Sequence, residues 1–392
     1  VAEPAPFVFA VGGEASESLE WLTDVTQAEA TGGEQRRRLR TAPRVVLAFD
    51  GLQSGQLRRW LENALHSHGT GPWDFPLLGD TLVLGDGVEA GATSLPGDAS
   101  LLRFASGGRA LICAGNPREA EVVSIDAVGA SGITLSAGTE RAWGVGALVR
   151  PLYAGRFDGM PQLARFTGDS VSYSAEARLD DVMSVGFSHG MPIYRGYPVL
   201  EAFVDWTSDP EWTPARLTTT ADEDTGPVYV ADVPGVAMPE LTVQMSATSR
   251  AEIAAFLGLL WTMCGRWQPV WVPSKALDLV LVEDVSAGDV VLAVEWSGLA
   301  DAGLAEHRKD IRIELHDGAV FYRRVTAVAE AGAEQEVVAL DSEIEVAFGV
   351  QDVAAISFMA LMRQDADTNR LNWFDDRTVQ TEMTLKAVPH GL

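Results

Sequence analysis

The 392-residue chain carries 55 acidic and 29 basic residues, a formal net charge of −26. That weighs against a broad nucleic-acid-binding surface, because phosphate contacts need a basic footprint. Hydrophobic residues make up 47%, enough for two buried cores, yet no run approaches the roughly eighteen apolar residues of a membrane-crossing helix. The two cysteines, Cys113 and Cys264, have no CxxC spacing; they indicate neither a zinc site nor a disulfide framework and read as buried fillers.

The start, Val1-Ala2-Glu3-Pro4, lacks the basic and apolar stretches of a signal peptide and reads as a cytoplasmic product that has lost its initiator methionine. An extended stretch from Phe7 to Trp21 comes first, then a polar, loop-rich segment and a strand-like run over residues 44–49. Leu57, Trp60, Leu61, Ala64 and Leu65 recur at helical spacing after Ser54-Gly55, and Gly69 marks the expected end of that helix. The Pro72-Trp73-Asp74-Phe75-Pro76 segment alternates aromatics between prolines. It predicts an extended piece at a sheet edge, since proline cannot donate to a ladder. Short β-runs at 82–88, 110–113, 121–125 and 132–135, separated by turn signals, read as a small barrel or sandwich. Val171, Tyr173, Ala175, Ala177 and Leu179 then alternate as a half-buried strand, and residues 183–197 read as a linker.

The second half follows the same plan. Residues 197–206 form an extended stretch ending at a Trp, and a polar segment leads to a strand at 240–245. Ser249 with Glu252 three residues on is a capping-box pattern, opening a helix with an apolar stripe of Ile253, Phe256, Leu257, Leu260 and Trp261 that ends near Gly265. Pro269-Val270-Trp271-Val272-Pro273 precedes β-runs at 279–285, 290–294, 311–315, 320–325 and 337–340. Val379, Thr381, Met383 and Leu385 alternate at the close.

This parallel is written in the residues themselves. Pro72, Pro76, Leu82-Val83-Leu84, Val88 and Ala90-Gly91 reappear without a gap as Pro269, Pro273, Leu279-Val280-Leu281, Val285 and Ala287-Gly288, eight identities in twenty positions where roughly one or two arise by chance. Ala142-Trp143-Gly144-Val145 matches Ala347-Phe348-Gly349-Val350, and Trp21 matches Trp206. The expectation is an internal duplication: a mainly β chain of two tandem sandwich or barrel domains, each with one packed helix. The first domain spans 1–184 with a small β insertion near 85–150; the second spans 185–392 with an insertion near 282–360. The matching aromatics Trp21, Trp73, Trp206 and Trp271 read as core or interface rather than as a sugar platform.

Candidate chemistry is sparse. His66 and His68 with Asp74 and Asp80 hint at a metal, but His-x-His on a helix splits the two rings between faces, so no metal is expected. Asp180-Asp181 and Asp222-Glu223-Asp224 lack the spacing of a calcium loop and read as solvated loops. There is no nucleophile elbow, P-loop or zincin motif, and of the six histidines only His316 precedes an acidic residue. The sharpest charge feature is Arg36-Arg37-Arg38-Leu39-Arg40. In an acidic chain, Arg36, Arg37, Arg38 and Arg40 read as an ion-pairing surface that meets an acidic patch on a neighbouring subunit. No catalytic residue and no cofactor is assigned.

The stretch Leu19-Glu20-Trp21-Leu22-Thr23-Asp24-Val25, followed by Gly33 to Arg40 and Pro43-Arg44, resembles tail proteins of long-tailed bacteriophages and gene-transfer-agent-like particles. So do the block through Gly265, Pro269, Trp271, Pro273, Leu277 and Asp278, and the closing Leu371-Asn372-Trp373-Phe374-Asp375-Asp376. The resemblance implies a non-enzymatic tail-tip protein of the distal-tail or baseplate-hub kind, built from tail-tube-like domains. Such a protein forms a ring that closes the tube and carries the receptor-binding apparatus. Its partners would be itself, the tube protein, and other hub and fibre proteins, with DNA passing transiently through an acidic lumen. It would be made in the host cytoplasm and reside in the virion. Two tube-like domains per chain let a homotrimer present six similar lobes, and a homohexamer of stacked domains is the alternative. Two other readings stand beside it: a tail-associated glycan hydrolase or peptidase, and a host-surface adhesin using the small β-modules.

Overall fold

The computed structural model describes residues 4–9, 15–28, 33–181, 183, 185–205, 207 and 209–388, apart from the side chains of 233 and 234. The protein is mainly β. In the first half, β1 (Ala5–Pro6), β2 (Ala15–Glu20) and the hairpin β3–β4 (Thr23–Gln27, Glu34–Arg38) lead into β5 (Arg44–Ser54), helix α1 (Gly55–His68) and β6 (Trp73–Pro76). A small module follows, with β7 (Leu82–Val83), β8 (Ser94–Pro96), β9 (Arg109–Cys113), β10 (Glu121–Gly129) and β11 (Gly132–Leu135). Then come β12 (Leu148–Phe157), β13 (Gln162–Arg165) and β14 (Ser170–Leu179), and the short hairpin β15–β16 (Ile193–Tyr194, Tyr197–Pro198). The second half runs β17 (Glu211–Ala221), β18 (Tyr229–Ala247), α2 (Arg250–Met263) and β19 (Val270–Pro273). Its module holds β20 (Val291–Glu295), the one-turn α3 (Leu299–Ala302), β21 (Asp310–Leu315), β22 (Val320–Glu330) and β23 (Gln335–Leu340). β24 (Val353–Gln364), β25 (Thr368–Trp373) and β26 (Val379–Ala387) end it.

The strand pairings of one half recur in the other. β14 lies antiparallel to β5 and β12, as β26 lies to β18 and β24. β6 pairs with β12 as β19 pairs with β24. The module ladder β9–β10–β11–β8 grows from β12, and β21–β22–β23–β20 grows from β24. Isolated contacts match as well: Val88 bridges Trp143 as Val285 bridges Phe348. The Phe7 amide donates to the Asp74 carbonyl and the Leu200 amide to the Trp271 carbonyl, both at 2.8 Å. In the second module Leu279 bridges Ile356 and Leu281 bridges Val294, which closes its strands into a circuit.

Alternation puts the core where the sequence predicts. Val171, Tyr173, Ala175, Ala177 and Leu179 on β14, and Val379, Thr381, Met383, Leu385 and Ala387 on β26, all turn inward. The two halves contribute to one continuous core, from Phe7, Leu19 and Phe75 on one side to Leu241, Phe256 and Met362 on the other. Each module has its own smaller core, around Leu84, Ile112 and Val149 and around Leu292, Ile313 and Val338.

Three expectations need correction. β6 and β19 are not edge strands: β6 has β1 on one side and β12 on the other, and β19 has Val199 and β24. Their prolines stand at the ends, so the residues between them pair freely. The polar stretches after the first extended segments are strands, β3–β4 and the long ribbon of β17 and β18, because a two-stranded ribbon needs no apolar face to satisfy its backbone. The predicted linker is packed: Met191 belongs to the shared core, and the backbone of 187–189 runs against α2 at Gly258, where a Cβ would lie 2.6 Å from the Phe187 carbonyl oxygen.

Candidate functional site: the junction between the two halves

Strand β2 carries the junction. On one side it pairs with β5, Ala15 opposite Phe49 and Glu20 opposite Arg44. On the other it pairs with β25 of the second half, Ala15 opposite Trp373 and Glu20 opposite Thr368. One sheet therefore runs unbroken from β14 through β5, β2 and β25 to β26 and β18.

Beneath this sheet lies a closed charge cluster. Arg103, 4% exposed, is held between Glu17 (3%) and Asp80 (0%). Its Nη2 donates to Glu17 Oε2 at 2.8 Å, its Nη1 to Glu17 Oε1, and its Nε to Asp80 Oδ2 at 2.6 Å. Arg250, the first residue of α2, reaches across from the second half. Its Nη2 donates to Asp80 Oδ1 at 2.6 Å and to the Leu101 carbonyl at 2.9 Å; its Nη1 donates to the carbonyls of Gly79 at 2.8 Å and Asp376 at 3.0 Å. Two carboxylates and two guanidiniums balance to neutrality, which is what makes such deep burial tolerable. Burial opposes the charge on Arg103, but Asp80 and Glu17 outweigh it and raise its pKa above the ordinary value. Tyr153, whose hydroxyl donates to the Arg103 carbonyl at 2.8 Å, is pushed up to about 12, first by burial. Trp373 from β25 lies 5.7 Å from the Arg103 guanidinium and presses on Gly79, where a Cβ would sit 2.5 Å from its ring. The cavity beside Glu17 is about 20 Å³, room for one water. Every carboxylate oxygen of Glu17 and Asp80 accepts from a guanidinium, so the cluster joins the surfaces of the two halves.

The hairpin β3–β4 forms the second part of the junction. Arg36 Nη1 donates to the Trp267 carbonyl at 2.9 Å, and the Arg38 guanidinium lies 4.4 Å from the Trp267 ring centroid. Glu34 takes a two-pronged bond from Arg363, Nε to Oε2 at 2.8 Å and Nη2 to Oε1 at 2.5 Å. Arg40 Nη1 donates to the Glu20 carbonyl at 3.1 Å. Asp367 binds the turn from both sides, accepting from the amides of Thr23 at 2.7 Å and Arg266 at 2.9 Å. Burial lowers the pKa of Arg36, partly offset by Glu34, and burial raises that of the Cys264 thiol, which sits under Arg38.

The residues singled out in the sequence fall as follows. Arg36, Arg38 and Arg40 make contacts within the chain, and Arg37, on the strand opposite Asp24, is exposed. Trp21 is buried at the junction, its Nε1 donating to Asn369 Oδ1 at 3.2 Å and its ring edge-on to Trp261 at 5.3 Å. Trp73 lies in the shared core against Phe7 and Phe157. Trp271 packs with Tyr194 in a separate cluster. Trp271 stands one register position away from the equivalent of Trp73: Trp73 faces Gly155, whereas it is Val270 that faces Met362, so the two indoles leave opposite faces of matching strands. Trp206 lies outside the described residues. His66 and His68 are exposed on α1, while Asp74 pairs with Arg109 at 2.5 Å and Asp80 belongs to the buried cluster. Among the described residues no three His, Cys, Asp or Glu side chains converge as metal ligands.

Sequence reasoning missed Glu17, Arg103, Arg250, Asp367 and Arg363. They lie in unrelated stretches, and only the pairing of β2 with β25 brings them together. A second ionic node ties the second module to its half: Glu201 accepts from Arg312 Nε and Lys275 Nζ, both at 2.6 Å, and from the Tyr322 hydroxyl at 2.9 Å. Burial would raise the Glu201 pKa, but the Arg312 and Lys275 bonds dominate and lower it. No family model and no curated protein matches the chain.

Proposed function

We propose that the chain is a non-enzymatic, ring-forming structural protein of a bacteriophage tail tip, which closes the tail tube and connects it to the receptor-binding apparatus. The observation that carries this reading is the recurrence of one set of strand pairings in both halves, joined by β2 into a single sheet. Two copies of one domain set side by side through a strand edge form a segment of a ring, and further copies extend it. The aromatic, proline and charge patterns shared with tail proteins point the same way, and the net charge of −26 suits a channel through which DNA passes without sticking. The partners on this reading are other copies of the chain, the tube protein, and hub and fibre proteins, and its place is the virion.

The test is native mass spectrometry of the purified protein with two-dimensional class averages from electron microscopy. Three chains forming six similar lobes around an open channel is the expected result. Six chains in two layers would keep the tail-tip role as a distal-tail spacer. A monomer that persists at high concentration would overturn the ring.

A further inference from the structure

The junction inside the chain has two counterparts left open. β17 stands to β18 as β2 stands to β5. Trp212 faces Leu241 as Glu17 faces Leu47, and Leu241 and Leu47 face Leu385 and Ala177 on the matching strands β26 and β14. β13 stands to β14 as β25 stands to β26, with Arg165 facing Val171 as Trp373 faces Val379. Within the chain, β2 and β25 pair with each other. Among the described residues, β17 pairs only with β18 and β13 only with β14, so each keeps one edge open.

We infer that β17 of one copy pairs antiparallel with β13 of the next copy, in the register of β2 with β25. This rests on the ring reading and names the contact that builds the ring. In the internal junction Glu17 faces Leu371, two residues before Trp373. Carried over, that register sets Trp212 against Leu163, Glu211 against Ala164 and Thr213 against Gln162. Trp212 is 40% exposed and Leu163 37%. Two large apolar side chains on open edges of opposite halves therefore meet on one face when the second copy is added, and a cross-strand aromatic–aliphatic pair is a favourable one. The interface is heterologous, with the edge of one half meeting the edge of the other, so it propagates from copy to copy and closes only as a ring. Pro210 and Pro214 flank Trp212 and carry no N–H, which protects this edge from casual pairing and leaves the Trp212–Leu163 contact to mark the register. The same step brings the β17–β18 ribbon, with exposed Val228, Tyr229 and Val230, toward the C-terminal end of the next copy's α1, as β3–β4 meets Cys264 and Trp267 just after α2.

The experiment is disulfide trapping in a C113S/C264A background. Facing positions on antiparallel strands bring their Cβ atoms within about 5 Å, close to disulfide reach. The pair L163C/W212C is expected to give covalent multimers on mild oxidation, ending at the ring size, with at least about tenfold the yield of the out-of-register pair A164C/W212C, whose side chains leave opposite faces. Multimers by native mass spectrometry without L163C/W212C trapping would overturn this contact and leave the ring standing. Monomers without trapping would overturn both. Where the cysteine variants yield no folded protein, L163R in the native background decides: at least about tenfold weaker self-association with an unchanged melting curve supports the contact, and unchanged association overturns it.

Discussion

Helix α2 buries Ile253, Ala254, Phe256, Leu257, Leu259, Leu260 and Met263, whereas α1, of the same length and place in its half, buries only Leu61 and Leu65. Their composition follows their surroundings. α1 exposes Arg59 and Asn63, while Arg58 and Glu62, one helical turn apart, are half-buried and pair at 2.9 Å. α2 is covered on its outer side by the chain at 187–189, and its C-terminal end is covered by β3–β4 of the first half. Among the described residues the cover on α1 is lighter: Phe9 meets Trp60 edge-on at 5.0 Å, and Arg165 Nη2 donates to Glu62 Oε1 at 3.1 Å. The halves share a pattern of strand pairing but not an environment. The first half supplies the second with a strand and a hairpin, and among the described residues β13, the first-half counterpart of β25, receives no such strand.

Three tests would break or sharpen this contrast. The largest effect is expected from Arg103→Met, which strands Glu17 and leaves Asp80 with Arg250 alone. Removing one partner from a buried charge cluster costs about 3–5 kcal/mol, and urea unfolding at neutral pH should show it. A loss below about 1 kcal/mol would mean that the junction is not closed to water. Next come the helices. Leu260→Ala, fully buried on α2, should cost about 2–5 kcal/mol, while Trp60→Ala, 37% exposed on α1, should stay within about 1 kcal/mol. Thermal melts of both variants, read at the same protein concentration, test the asymmetry, and equal losses would show that α1 is covered in solution. The smallest effect is expected at the hairpin. Arg36→Glu with Arg38→Glu should loosen β3–β4 by about 1–2 kcal/mol, seen as faster amide exchange over residues 23–38, because one guanidinium bonds the Trp267 carbonyl and the other stacks on its ring. Arg37→Glu should leave that exchange unchanged, and equal acceleration by both would sink the assignment.

Much of the fold was legible because its signals are local. Ser249 accepts from the Glu252 amide as an N-cap should, although the Glu252 carboxylate bonds Thr248 rather than closing the box. Gly69 and Gly265 take positive φ where the helices were expected to end. The alternating runs of β14 and β26 face the core as written. Strand β17 escaped notice because its residues are almost all exposed and carry no apolar period to read, whereas the alternating stretch 240–245 of its partner β18 was legible. The junction escaped for a different reason. Arg103 has no helical or strand pattern around it, and its carboxylate partners Glu17 and Asp80 are 86 and 23 residues away, with Arg250, which shares Asp80, in the other half.

By itself the sequence determined the parts of this protein: a β-rich chain, a helix in each half, and a repeated order of elements, because backbone propensity and burial period act over a few residues. Only the tertiary structure decided how those parts share one core. Pairing between β2 and β25 depends on which edges are left open once each half has folded, and no residue within either strand records that. The same holds for the charges. An arginine in a loop becomes the centre of a junction when burial removes water and leaves carboxylates from distant segments as its available partners.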